Sequence, residues 1–366
     1  MRRMLSLHGS ILVLFATAWP QPVRAIPVFA HRFGLSCQAC HTAVPHLTPY
    51  GEAFLANGYR LPQMRERGVL PLAVKANLAY SSEPDPTGLP KAVVDEIEVL
   101  SGGAVTDRIS YFAETYLVDG GRPGAIRDLC AAYRLPAPMP AHVPITLTGG
   151  QFTLPLPVDP ETFRETSTHY AVFDQRIGTN PFNFFEPKIG AQARFGSDAR
   201  GTSLTLAGLQ GHDKQSGIGS DGTDRMLYAQ HVAGPVIASA YRYDGTRPLQ
   251  PAADRFWRQG YGLSYVTESF TLDAVLQNGL DTSADGTGSS VRSSGGFIQA
   301  RYAFVPGFFG LVRYDGTSDS RSGPARSLLV GAGMRVRRNS RLTVEDVIGH
   351  SPRTTHALSA TLLFAY

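Results

Sequence analysis

Residues 36–47 read SCQACHTAVPHL and hold Cys37 and Cys40, two of the three cysteines in the chain. Outside a reducing compartment a C-x-x-C pair closes a disulfide, cycles as a redox dithiol, or takes up a haem. His41, directly after Cys40, selects the third. Thioether links to the two haem vinyls need cysteines about one helical turn apart, and the next residue on that turn presents its imidazole to the iron. The pattern therefore assigns one covalent haem c to Cys37 and Cys40, with His41 as proximal ligand. The sixth ligand is less sharply written. Met64, in the loop-like GYRLPQM, is the first distal candidate, because a thioether opposite His41 raises the haem potential. His46 is the alternative, five residues from His41 and so poorly placed for the opposite haem face; His31 lies six residues before Cys37. Each of the three also reads as an ordinary surface or packing residue, and a vacant position fits too.

The elements around this motif begin with a leader. Arg2 and Arg3 precede the apolar run ILVLFATAW (11–19), and Val23 and Ala25 supply small residues before a cut. That is a secretory signal over 1–25, too short to span a bilayer as a helix. Its removal takes away Arg2, Arg3 and Arg24 and no acid, lowering the net charge from +4 to about +1. A charge so small gives no reason to expect nucleic acid. Residues 26–66 form the cytochrome segment, too short to bury a core unaided.

From 67 to 366 the idiom changes to period two. FIQARYAF (297–304) sets Ile298, Ala300, Tyr302 and Phe304 against Gln299, Arg301 and Ala303. RSLLVGAGMRVR (326–337) sets Leu328, Val330, Ala332, Met334 and Val336 against Gly331, Gly333, Arg335 and Arg337. One face suits lipid and the other a polar lumen. A charged fraction of 17% and 38 glycines fit the same picture, as does a mean hydropathy of −0.10. Quick turns such as AGP (233–235) and VPG (305–307) alternate with longer polar loops such as 210–225 and 278–296. Sixteen such strands run from 70–82 to 355–366. The expected fold is all-β: a transmembrane antiparallel β-barrel of about sixteen strands, both barrel termini at the short-turn end. The last strand ends on Tyr366, with Phe364 and Leu362 on one face.

One connection differs from the rest. DPETFRETSTHYAVFDQRIGTNPFNFFEP (159–187) is too long for a hairpin and too aromatic for a solvated tail. It reads as a loop folded into the lumen or over its mouth, or else as an ordinary excursion. Lumen-face arginines Arg301, Arg313, Arg335 and Arg337 either pair with haem propionates or acids such as Glu345 and Glu114, or line a polar pore. Alternation turns Cys130 inward beside Asp128 and Arg134, as a small packing residue. No phosphate loop, zinc spacing or hydrolytic constellation is present in the sequence, so no catalytic residue is assigned.

At IPVFAHRFGLSCQACHTAVPHLTPYGEAFLANGYRL (26–61) the chain resembles the fused monohaem cytochrome c–porin family, the outer-membrane iron-oxidase-like cytochrome-porins. Cys37, Cys40, His41, Pro45, Leu47, Gly51, Phe54, Gly58 and Tyr59 carry the likeness. GGQFTLPL (149–156) resembles a stretch shared with anion-selective porins. The resemblance implies a haem segment plugging the barrel from the periplasmic side, in the outer membrane of a Gram-negative bacterium. It also implies iron:cytochrome c oxidoreductase-like electron transfer. The expected function is a conduit passing single electrons from an extracellular donor such as Fe(II) to a periplasmic cytochrome or other soluble carrier. Two alternatives stand beside it: an anion-permeable porin with a structural or sensory haem, and a conduit discharging to an extracellular acceptor. Expected partners are outer-membrane lipid, the periplasmic carrier and the external donor or acceptor, with no nucleic acid.

Overall fold

The structure, a computed structural model, describes residues 29, 32–33, 35, 37–43, 46–61, 71–83, 91–136, 143–161, 164–197, 199–211, 223–337, 339–350 and 354–365. The leader 1–25, His31, Met64 and Tyr366 lie outside the described residues.

Strand periodicity dominates the chain after residue 72. The first eight barrel strands are β1 (Ala73–Ser81), β2 (Ala92–Ala104), β3 (Ile109–Asp119), β4 (Ile126–Arg134), β5 (Ile145–Phe152), β6 (Lys188–Ser197), β7 (Arg200–Gln210) and β8 (Thr223–Ala233). The remaining eight are β9 (Val236–Arg247), β10 (Asp254–Val266), β11 (Phe270–Asp281), β12 (Val291–Val305), β13 (Phe308–Asp319), β14 (Gly323–Arg337), β15 (Ser340–His350) and β16 (Thr354–Ala365). A two-residue strand, Arg122–Pro123, extends β3 at its far end. Among the described residues these sixteen strands form one closed antiparallel barrel, each paired with its neighbours in sequence. β16 closes onto β1, with Leu362 opposite Leu78. Closure leaves no unpaired edge, the condition for spanning lipid with strands. No helix among the described residues is long and apolar enough to cross a membrane.

The alternation expected of β12 holds residue by residue. Ile298 and Tyr302 are 50% and 47% exposed on the outer wall, while Gln299 and Arg301 are 6% and 2% exposed on the inner one. Leu276, Leu263, Phe304, Val330 and Leu358 continue the apolar exterior around the circumference. So wide an apolar belt is unstable against water and stable against acyl chains.

Connection lengths separate the two ends, with three exceptions: 135–144 at one end and the three-residue 320–322 and 351–353 at the other. The segments between strands at one end are 105–108, 135–144, 198–199, 234–235, 267–269, 306–307 and 338–339. At the other end they include 82–91, 153–187, 211–222 and 282–290, but also the tight 320–322. The 135–144 segment breaks the expected pattern because it carries Pro136, Pro138, Pro140 and Pro144. Prolines donate nothing to a ladder, so this hairpin cannot tighten.

Register shifts beside tight turns occur between β6 and β7, β12 and β13, and β14 and β15; those within strands lie on β1–β4. The register shifts between Asn77 and Leu78 on β1, between Ile97 and Glu98 on β2, and between Glu114 and Thr115 on β3. Opposite the last of these, Arg127 is the extra residue, so Arg127 and Asp128 are both buried although adjacent in sequence. A bulge re-aims a side chain in this way.

Candidate functional site

Two elements occupy the lumen, and the wall between them carries a cluster of charged side chains. The first element is the cysteine-bearing segment at the short-turn end. Helix α1 (Cys37–Cys40) is a single turn, followed by a small ladder in which His41–Ala43 pairs with His46–Leu47. Helix α2 (Pro49–Ala56) then starts at a built N-cap: Thr48 accepts from the Gly51 N–H at 3.2 Å, and Pro49 needs no partner for its missing donor. Thr48 also satisfies the end of α1, since its hydroxyl donates to Ala39 O at 2.9 Å and its N–H to Cys40 O at 2.8 Å. Gly51 lets the helices approach this closely, because a Cβ there would stand 2.3 Å from Cys40 O. Cys40 is a buried free thiol, and burial pushes its pKa up. Only the main chain is described for Cys37, His41 and His46.

An aromatic cluster replaces the core this segment is too short to build. Phe29 and Phe33 meet Phe54 edge-on at 5.0 and 5.6 Å, and Phe29 stacks on Tyr59 at 5.0 Å. The chain leaves α2 through Gly58 and Tyr59, both at positive φ (64° and 62°). That reversal brings Tyr59 against Phe112 of β3, centroids 6.5 Å apart. Two arginines fasten the segment to the wall. Arg60 donates to the carbonyls of Thr106 (2.5 Å), in the 105–108 turn, and Ile109 (2.8 Å), at the start of β3. Arg134 of β4 donates to Asn57 Oδ1 at 2.8 Å and Ala56 O at 3.3 Å. The segment is therefore docked inside the barrel at the end with short turns. Burial, with Cys130, Asp128 and Glu114 close by, pushes the Tyr59 phenol well up.

The second element is the 153–187 connection, which folds into the lumen rather than over its mouth. Leu154, Leu156, Tyr170, Val172, Phe173, Phe182 and Phe184 form one cluster with wall residues Leu209, Met226, Tyr228, Tyr241, Tyr243, Phe256, Val275 and Phe297. Its short helix α3 (Ala171–Asp174) puts Val172 and Phe173 into that cluster. Polar anchors hold the rest. Arg313 donates to Thr166 Oγ1 (3.2 Å), Thr168 O (3.0 Å) and His169 O (2.8 Å), pairs with Asp315 at 2.7 Å and lies over the Tyr170 ring at 4.5 Å. Arg301 pairs with Glu165 at 2.7 Å. Glu345 accepts from the Ser167 and Thr168 N–H groups at 2.6 and 3.2 Å. Asn180 bridges Asp254 and Asp281 at 2.7 and 3.2 Å.

Between the two elements, Glu96 and Glu98 of β2, Glu114 of β3 and Asp128 of β4 descend the inner wall. Lys75 pairs with Glu98 at 2.5 Å and with Glu96 at 3.8 Å. Glu161 of the loop meets Tyr116 at 3.1 Å and Arg164 at 3.3 Å. Burial alone would raise the Glu161 carboxyl, but Arg164 and Arg127 outweigh it and hold it at about 2.

Of the sequence-assigned residues, Cys37, Cys40 and His41 fall on one turn and the residue after it, as the spacing required. His46 lies on the same small ladder as His41, opposite Ala43. Arg301 and Arg313 face inward, but they are committed to the loop and to Asp315 instead of a cofactor. Arg335 sits at the short-turn rim, donating to Pro306 O at 3.4 Å, and Arg337 is exposed there. Cys130 packs at the edge of the loop cluster, as a small filler does. Sequence reading missed Thr48, Arg60 and the role of Arg134. Only Thr48 carried a signal, the N-cap pattern Thr-Pro before an apolar stretch.

The donor set suits a covalently held haem: two cysteines on one turn, an adjacent histidine, and an apolar aromatic wall.

No protein-family model and no curated protein matches the chain. Solved structures do. The chain is similar to the anion-selective porin from Comamonas acidovorans (TM-score 0.61, 12% identity, 81% of this chain and 98% of that one). It is also similar to OmpF of Salmonella typhi (TM-score 0.59, 12% identity, 81% and 97%), solved with daunomycin. The outer membrane channel DcaP of Acinetobacter baumannii aligns with a TM-score of 0.56 at 13% identity, over 81% and 96%. At these identities the likeness establishes the fold: a sixteen-stranded porin barrel carrying an additional N-terminal segment.

Proposed function

We propose that this chain is an electron conduit of the Gram-negative outer membrane, with the N-terminal segment on the periplasmic side. One observation carries the reading: the Cys37–Cys40 turn, followed by His41, lies in a segment docked inside the barrel at its short-turn end. Cys37 and Cys40 hold haem c, His41 ligates it, and Met64 or His46 takes the sixth position. Bound there, haem c supplies one-electron redox chemistry. The chain's own residues do the rest. Arg60 and Arg134 fix the segment's depth in the lumen, the aromatic cluster excludes water from it, and the 153–187 loop narrows the approach from the other end. The external partner is a donor such as Fe(II), and the internal one is a periplasmic cytochrome or similar soluble carrier. The activity is of the iron:cytochrome c oxidoreductase kind. Intact cells test the proposal. Membrane-impermeant Fe(II) reduces the haem if the conduit operates; reduction by permeant reductants alone would remove it.

An anion-permeable porin with a structural or sensory haem is the second reading. A loop folded into the lumen and the likeness to solved porins, one of them named anion-selective, favour it. Liposomes carrying the protein separate the two: fast swelling in small anions supports the porin, and slow swelling supports a lumen filled for electron transfer.

A further inference from the structure

Two buried carboxylates face each other on the inner wall beside the docked segment. Glu114 of β3 stands directly opposite Asp128 of β4, and the two residues are 2% and 3% exposed. Asp128 is held by Thr153, whose N–H and hydroxyl donate to its two oxygens at 2.7 and 3.2 Å. Glu114 has no such support: its Oε2 is buried without a hydrogen-bond partner. Among the described residues neither carboxylate forms an ion pair.

The cations around the pair are turned elsewhere. Lys75 of β1 is engaged by Glu98 and Glu96 of β2 at 2.5 and 3.8 Å. Arg127 donates to Phe185 O at 2.9 Å and lies over the Phe185 ring at 5.0 Å. Arg164 of the loop pairs with Glu161, which also accepts from the Tyr116 phenol. The other titratable neighbours are Asp159 of the loop, Cys130 of β4 and Tyr59 of the docked segment, and none of them brings positive charge. Two facing carboxylates so far withdrawn from water do not both ionise, and one proton shared between them removes one of the two charges. Tyr59 joins the pair to the docked segment, since its phenol lies near Glu114 and Asp128 while its ring stacks on Phe29. An electron placed in that segment adds negative charge beside the pair, where a low-dielectric wall screens it weakly.

We propose that Glu114 and Asp128 are a proton-loading site: they share one proton, bind a second from lumen water as one electron enters the docked segment, and release it when the electron leaves. One proton thus accompanies each electron and the local charge is unchanged. Glu98 and then Glu96, whose side chain is 13% exposed, continue the column toward the long-loop end and give the proton a route. The coupling to the electron rests on the conduit reading; the shared proton does not.

Spectroelectrochemistry of the full-length protein in detergent tests the coupling. Between about pH 5 and pH 9 the midpoint potential should fall as pH rises, because reduction binds a proton. The reduction equilibrium changes up to tenfold per pH unit, about 59 mV for one electron. Glu114→Gln and Asp128→Asn should each flatten that slope, while Glu268→Gln on the exposed 267–269 turn leaves it unchanged. Heat-modifiable gel mobility shows which variants fold, and either variant alone suffices. A potential independent of pH in the wild type would overturn the proposal, and so would a slope that survives in a folded variant. Infrared difference spectra read the shared proton without any haem. A protonated-carboxyl C=O band should be present in the wild type at neutral pH and missing from Glu114→Gln. Identical spectra would overturn the shared proton, as would a wild-type potential that follows Na+ concentration in place of pH, because a metal cation would then neutralise the pair. Haem staining is read in parallel: if it fails, the infrared band still decides the shared proton, so failure of the pair and failure of the conduit remain distinguishable.

Discussion

Single residues decide whether the lumen elements stay in place. Arg313 is fully buried and joins Asp315 on its own strand to three groups of the loop. Arg313→Ala leaves the Asp315 carboxylate uncompensated, a loss of about 3–5 kcal/mol. The thermal unfolding midpoint in detergent should fall, and channel conductance should rise as the loop loosens; an unchanged midpoint would contradict this role. Replacing Cys37 and Cys40 together by Ala removes both proposed attachment points and should leave any haem to be stripped from the chain by denaturing electrophoresis. Full covalent staining in that variant would refute the assignment. The inward direction of Arg301 and Arg313 was legible from alternation alone. Their partners were not, because Glu165, Thr166 and His169 lie more than a hundred residues away in sequence and meet them only through the loop's path.

The two internal elements share one design, an aromatic body tied down by arginines. For the loop, Phe182→Ala removes a ring in contact with Phe184, Tyr243 and Phe256 and should cost about 3–5 kcal/mol. Protease susceptibility of residues 153–187 measures it. Glu161 adds a pH dependence with a definite sign. Its pKa of about 2 in the folded chain lies below the ordinary 4.5, so it stabilises the loop above pH 4.5 and loses that contribution as pH falls toward 2. Loop proteolysis should be flat from pH 7 to pH 5 and increase below about 4 at constant protease activity. Glu161→Gln should flatten the acid limb; an unaltered limb would assign the transition to other carboxylates. For the docked N-terminal segment, Arg134→Ala frees Asn57 and the end of α2, and hydrogen exchange should quicken in residues 49–60. The aromatic composition of 159–187 argued against a solvated tail and its length against a tight hairpin, which left a packed loop beside an ordinary excursion. Which side of the mouth it took was not legible, because that depends on the wall cluster contributed by β7–β12.

At the scale of the molecule, sixteen strands were countable from period two and turn signals, and the closed barrel matches that count. Boundaries slipped where proline or a bulge intervened. β4 and β5 stop short at the four-proline connection, and β1–β4 contain register shifts that no periodicity predicts. Those shifts lie among the buried acids and Arg127 between the docked segment and the loop, so the least legible part of the barrel is also a highly charged one. The fold is that of a porin, and the proposed conduit rests on the CxxCH turn inside it. The most direct measurement is the visible spectrum of the full-length protein, purified from outer membranes and denatured. The account predicts one haem c per chain that stays with the polypeptide after acid–acetone extraction. A colourless polypeptide would contradict it.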